Sequence, residues 1–118
     1  MYKDVPEERH VLPDRRLADT IKITTDDGHS IYLSIGTDPA DLMRPREVFY
    51  AGGFKSGAQA EFQIQDVCVL ISLLLQHGLR PEEIGKSLSR QDRPERDTTF
   101  GSIVGIIVEE LCNAQENG

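Results

Sequence analysis

The stretch Thr20-Ile21-Lys22-Ile23-Thr24-Thr25-Asp26-Asp27-Gly28-His29-Ser30-Ile31-Tyr32-Leu33-Ser34-Ile35 decides the fold. Ile21 and Ile23 alternate with Lys22 and Thr24, and Ile31, Leu33 and Ile35 alternate with Tyr32 and Ser34. Side chains of a strand point to opposite faces with a period of two, so each run has one apolar and one polar face. Asp26-Asp27-Gly28-His29 between them supplies the turn, and an Asp-Gly step flanked by alternating apolar residues predicts a β-hairpin.

Downstream of the hairpin, residues 37–46 read as a loop containing Pro39 and Pro45, and residues 47–50 as a third short strand. Gly52-Gly53 breaks it. A long helix is predicted to begin near Gly57 or Ala58, because Ala60, Ile64, Val67, Cys68, Ile71, Leu74 and Leu75 recur at helical spacing. Val69, Leu70 and Leu73 lie on the opposite side, so this helix is apolar nearly all round and needs two covering surfaces. The sheet covers one; the C-terminal helix or a second copy of the chain is expected on the other.

His77-Gly78 ends the helix, with glycine at the left-handed cap position. Pro81 opens a short helix through Leu88, with Glu82 and Glu83 in its first turn, where the helix dipole favours them. Residues 89–99 are charged and read as irregular. Residues 100–112 form a last helix on the spacing of Ile103, Val104, Ile107, Val108 and Leu111, although so many β-branched residues would also suit a buried strand. The fold class is therefore α+β, a small three-stranded antiparallel sheet packed on a long central helix with two further C-terminal helices. The expected organisation is an N-terminal arm over residues 1–14, one domain over residues 15–112 and a flexible tail over residues 113–118.

Composition narrows the function classes. The chain has 118 residues, 38% hydrophobic and 28% charged, which suits one globular domain. Thirteen basic residues against 20 acidic ones give a net charge of -7, a field that repels phosphate backbones, so neither DNA nor RNA is an expected partner. The N-terminal residues are too acidic for a signal peptide, and the longest apolar run, residues 67–75, is too short to span a bilayer. A cytoplasmic protein without a membrane partner is expected. Cys68 and Cys112 each sit in an apolar run, and no paired-cysteine motif is present.

Gly52-Gly53-Phe54-Lys55-Ser56-Gly57 leads into the long helix, and Gly52, Gly53, Lys55, Ser56 and Gly57 are the candidate ligand or partner residues. Loop amides before a helix N-terminus can hold an anion, with Lys55 adding charge. The P-loop order is not met, however, and the competing reading is a strand-to-helix connection whose glycines tolerate positive φ. His10, His29 and His77 are scattered without matching cysteine or carboxylate spacing, so no metal site is expected. No serine stands in a nucleophile-elbow context, and no catalytic residue is assigned.

Several short motifs together resemble a known family. Arg15-Arg16, Thr20-x-Lys22 and Gly28-His29-Ser30-Ile31-Tyr32-Leu33 come first, followed by Glu47-Val48-Phe49 and Lys55-Ser56-Gly57-Ala58. Leu75-Gln76-His77-Gly78-Leu79-x-Pro81-Glu82-Glu83 and the segment from Ser102-Ile103 to Glu110-Leu111 complete the set. In this order they resemble the TSCPD domain at the C-terminal end of adenosylcobalamin-dependent (class II) ribonucleotide reductases, over residues 15–112. The Ser-Cys-Pro-Asp string behind the family name is absent, as are the barrel, the radical and redox cysteines and the cobalamin-binding elements of those enzymes. The resemblance implies a stand-alone copy of an appended domain, non-catalytic and with no cofactor of its own, adenosylcobalamin belonging to the large enzymes. Its expected role is accessory or regulatory in deoxyribonucleotide synthesis, with a protein partner in nucleotide metabolism; a homodimer is expected separately, from the long helix that is apolar on both sides and from the open sheet edge. The alternative is a small-ligand sensor holding a nucleotide or other anion at the 52–57 loop.

Overall fold

The computed structural model describes residues 8–9, 11–12, 17–25, 28–93 and 96–117. Strand β1 (Leu17–Thr24) pairs antiparallel with β2 (Ser30–Asp38), in the register Ile21↔Leu33 and Ile23↔Ile31. This places the predicted apolar alternation on one face. The turn closes with the Gly28 N–H donating to the Thr25 carbonyl at 2.9 Å and the Thr25 N–H donating to the His29 carbonyl at 2.8 Å. Gly28 takes φ 86°, the left-handed region that the Asp-Gly step anticipates. Asp26 and Asp27 themselves lie outside the described residues.

The third strand is longer than its apolar run suggests. Strand β3 (Asp41–Gly52) pairs antiparallel with β2, giving the sheet order β1-β2-β3. The predicted loop at residues 37–46 is thus mostly strand, with the reversal confined to Pro39-Ala40 and fixed by the Ala40 N–H donating to Asp38 Oδ1 at 2.9 Å. Pro45 is tolerated because β3 is an edge strand and the register shifts beside it, so its missing N–H removes no ladder bond.

Helix α1 (Gln59–Gln76) runs beside β3 and buries Ile64, Cys68, Ile71 and Leu75 against the sheet. Its end forms a Schellman closure: the Leu79 N–H reaches the Leu74 carbonyl at 3.1 Å and the Gly78 N–H reaches Leu75 at 3.2 Å. Gly78 has φ 104°, which only glycine adopts readily. Helix α2 (Pro81–Gly85) starts on its proline as expected but stops short of Leu88.

A second, two-stranded sheet then replaces the expected irregular segment: β4 (Arg90–Arg93) pairs antiparallel with β5 (Arg96–Phe100). Helix α3 (Ile103–Asn117) is a helix rather than a strand, and it continues past Cys112, where the sequence reading ends the domain. It packs on α2, β3 and β5 and contributes the fully enclosed Ile107, Val108 and Leu111 to the core.

Candidate functional site

The 52–57 loop is built by a crossing of backbones. As β3 ends, the chain passes over the start of β2 at Gly53, which has φ 122°. A Cβ on Gly53 would stand 2.5 Å from the Ser30 carbonyl oxygen and 2.7 Å from Ile31 Cα, so both space and conformation demand glycine. Beyond it, the Phe54 N–H donates to the Tyr50 hydroxyl at 2.7 Å. The Phe54 ring stacks on His29, centroids 5.0 Å apart, and on Tyr50 at 6.0 Å. The loop is therefore pinned onto the hairpin turn by three rings. His29, exposed in the turn, is one of them.

Lys55, Ser56 and Gly57 are exposed at the entrance to α1, while Gly52 and Gly53 stay at the strand exit. Gly57 takes φ 79°, and its N–H donates to Glu61 Oε1 at 2.9 Å. The helix dipole at this end attracts negative charge, and Glu61 in the first turn already supplies it. An anion arriving at Lys55 would meet that carboxylate.

A second cluster forms at the other end of α1, and the sequence shows no sign of it. Arg46 donates to the Leu75 carbonyl and Arg44 to the Gly78 carbonyl, each at 3.1 Å. Arg9 donates from Nε to Gln76 Oε1 at 2.5 Å, and Arg80 follows two residues after Gly78. Burial lowers the pKa of Arg46, and the neighbouring Arg44 and Arg80 guanidiniums lower it further against the pull of Asp41 and Asp38. Arg44 Nε is buried and, among the described residues, has no hydrogen-bond partner. Guanidiniums at a helix C-terminus complement its unsatisfied carbonyls. They are separated by tens of residues in the chain, which is why a search for runs of basic residues misses them.

The third feature is the outward side of α1. Phe62, Val69 and Leu70 are 52%, 54% and 60% exposed, and Leu74 is 37% exposed. Helix α3 packs elsewhere and leaves this side open. Leu73 belongs to the same side but is half-buried.

The two cysteines differ in their surroundings. Burial pushes the Cys68 thiol up to about 11, so it stays protonated near neutral pH. Cys112 is half-buried on α3. Among the described residues no group of three or more His, Cys, Asp or Glu is arranged to hold a metal ion. His29 is stacked on Phe54 and His77 caps α1; His10 lies outside the described residues.

The TSCPD domain family model matches residues 2–114, nearly the whole chain. The chain belongs to the TSCPD domain family. That family is associated with ribonucleotide reductases. No curated protein and no solved structure matches the chain. The match starts before the domain start expected at residue 15, so the segment carrying Arg9 falls within it. Among the described residues of this TSCPD domain, no helix is long and apolar enough to cross a membrane.

Proposed function

We propose that this TSCPD domain is a non-catalytic accessory or regulatory module for ribonucleotide reduction, acting on a partner enzyme rather than on substrate. The observation that supports it is the family match over residues 2–114, in a chain whose exposed apolar side chains include Phe62, Val69, Leu70 and Leu74 on one side of α1. The partner of this reading is a protein of nucleotide metabolism in the cytoplasm, not DNA, RNA or a membrane, and the module works as a homodimer without a cofactor. Adenosylcobalamin belongs to the enzyme it modulates.

The test is ribonucleotide reduction measured with adenosylcobalamin and a dithiol reductant, for the chain alone and for a class II reductase with and without the chain. The expected result is no turnover by the chain alone and a changed rate or effector response of the reductase at stoichiometric addition. Turnover by the chain alone that disappears in the Cys68→Ser, Cys112→Ser variant would overturn the reading. So would a reductase indifferent to the chain.

A nucleotide or anion sensor at Gly52, Gly53, Lys55, Ser56 and Gly57 is the second reading, supported by the exposure of Lys55 and Ser56 beside the start of α1. Calorimetry with nucleoside triphosphates separates the two. Heat that is lost in Lys55→Ala, with the loss shrinking as salt rises, would favour the sensor.

A further inference from the structure

We infer that the arginines gathered at the C-terminal end of α1 form a binding site for a small phosphate-bearing anion, with Arg44 at its floor. This site is separate from the 52–57 loop at the other end of the helix, and it does not depend on the link to ribonucleotide reduction.

Closure of the helix does not account for these side chains. The end of α1 is already closed by backbone: the His77 N–H donates to the Leu73 carbonyl at 3.0 Å, and Gly78 and Leu79 donate to Leu75 and Leu74. The guanidiniums come in on top of that closure, from three different segments. Arg9 precedes β1, Arg44 and Arg46 belong to β3, and Arg80 directly precedes α2. Three of them converge on one turn of chain, Arg46 on Leu75, Arg9 on Gln76 and Arg44 on Gly78, while Arg80 donates to Gln115 Oε1 at 3.3 Å.

Every acceptor these four side chains meet among the described residues is a neutral carbonyl or amide oxygen. A guanidinium carries five N–H donors, and each of the four spends one of them in this way. Arg44 Nε is buried and, among the described residues, meets no acceptor. A buried donor left in that state is costly, and an ion that supplies its acceptor removes the cost. Like charges also crowd here, since Arg44 and Arg80 both act to lower the pKa of Arg46. One anion among the guanidiniums supplies acceptors and offsets the repulsion together.

The surrounding acids decide its size. Asp38 and Asp41 stand near Arg46, Glu83 accepts the Arg80 N–H at 3.0 Å, and Glu82 accepts from Gln115 at 3.0 Å. Asp41, Glu82 and Glu83 are exposed, so an extended acidic segment laid across the arginines would run into them. A compact anion that reaches the buried Arg44 Nε avoids them. Planar guanidinium forks match the oxygens of phosphate, and two linked phosphate groups bring enough charge to engage several forks at once. Inorganic pyrophosphate and the diphosphate of a nucleotide both carry that chemistry.

Calorimetry of the full chain at low salt tests the site, with pyrophosphate, ADP and a hexaglutamate peptide as probes. Pyrophosphate and ADP should bind with similar affinity, weakening as salt rises. Arg44→Gln should weaken both by about tenfold or more, and Arg44→Lys nearly as much, because an ammonium keeps the charge but loses the fork. The double variant Arg9→Gln, Arg80→Gln alters two exposed side chains, so it should keep the parent's circular dichroism and lose affinity as well. Lys55→Ala should bind like the parent. No heat from pyrophosphate or ADP overturns the proposal, as does ADP binding with pyrophosphate inert. So does affinity that Lys55→Ala abolishes and the arginine variants retain, which assigns the anion to the 52–57 loop. Hexaglutamate binding where pyrophosphate gives no heat overturns it too, and assigns the arginines to an acidic segment of a protein. Should Arg44→Gln fail to fold, full affinity in the double variant is the overturning result.

Discussion

The hydroxyl of Ser72 accepts the N–H of Val48 at 2.9 Å and donates to the carbonyl of Val48 at 3.1 Å. One turn later, Gln76 donates from Nε2 to the Arg46 carbonyl at 3.2 Å. Val48 and Arg46 lie on β3, an edge strand of the larger sheet, so their outward backbone groups have no neighbouring strand to bond. Two side chains four residues apart on α1 take that place. Both are buried, and both would be costly there without these partners.

Ser72→Ala should therefore lower stability by about 2–3 kcal/mol, since it leaves a buried N–H and a buried carbonyl without partners. The check is the urea midpoint at constant slope. A shift of a few tenths of a kcal/mol would show that water replaces the hydroxyl and that the seam is open.

The glycines offer a graded comparison. Gly28 and Gly53 both have positive φ, but a Cβ on Gly28 meets nothing within 4 Å, whereas one on Gly53 collides with Ser30 and Ile31. Gly28→Ala should cost about 1 kcal/mol from backbone strain alone. Gly53→Ala should cost on the order of 3 kcal/mol or more and loosen the stack of Phe54 on His29. Equal midpoints for the two variants would contradict the crossing of β3 over β2.

Cys68 gives the chain an alkaline weakness. Its folded thiol titrates at about 11 against an ordinary value of 9.0, so between these pH values the folded chain holds a proton that the unfolded chain has released. Raising pH through this window then favours unfolding, and below it Cys68 contributes no pH dependence. The Cys68→Ala variant, less stable overall, should lose this part of the alkaline decline. Thiol labelling of the native protein at pH 8 should likewise modify Cys68 only after unfolding.

Glu61→Ala should destabilise α1 modestly, by about 0.5–1 kcal/mol, because it frees the Gly57 N–H and removes a carboxylate from the helix start. Added sulfate should restore part of the loss if the loop amides can hold an anion. A variant as stable as the parent would mean that the 2.9 Å bond from Gly57 contributes nothing in solution.

Local signals made much of the fold legible. The Asp-Gly turn, the proline at the start of α2 and the glycine after α1 each follow from backbone conformations that few residues adopt. The third strand was legible only at residues 47–50, and its first half and the pair β4 and β5 were not, for two different reasons. In β3 the proline at position 45 reads as a breaker, yet an edge strand with shifted register accommodates it. In β4 and β5 the sequence is charged and offers no alternating apolar face, so the periodicity test has nothing to detect. The candidate loop was visible from its glycines, but their purpose at Gly53 is a close approach of backbones, which no pattern in the loop itself reveals. The arginines around the end of α1 come from the arm, β3 and the start of α2, and only the tertiary fold unites them.

The helix lying along β3 also sets a limit on how this sheet can grow. A strand edge with free backbone groups is a template, and unlimited addition requires each copy to present two such templates. Here Ser72 and Gln76 occupy one of the two, leaving β1 as the other edge. A second copy that pairs its own β1 with this β1 uses up that edge in both sheets at once. Growth of this sheet past β3 is then opposed by the two α1 side chains seated on Arg46 and Val48.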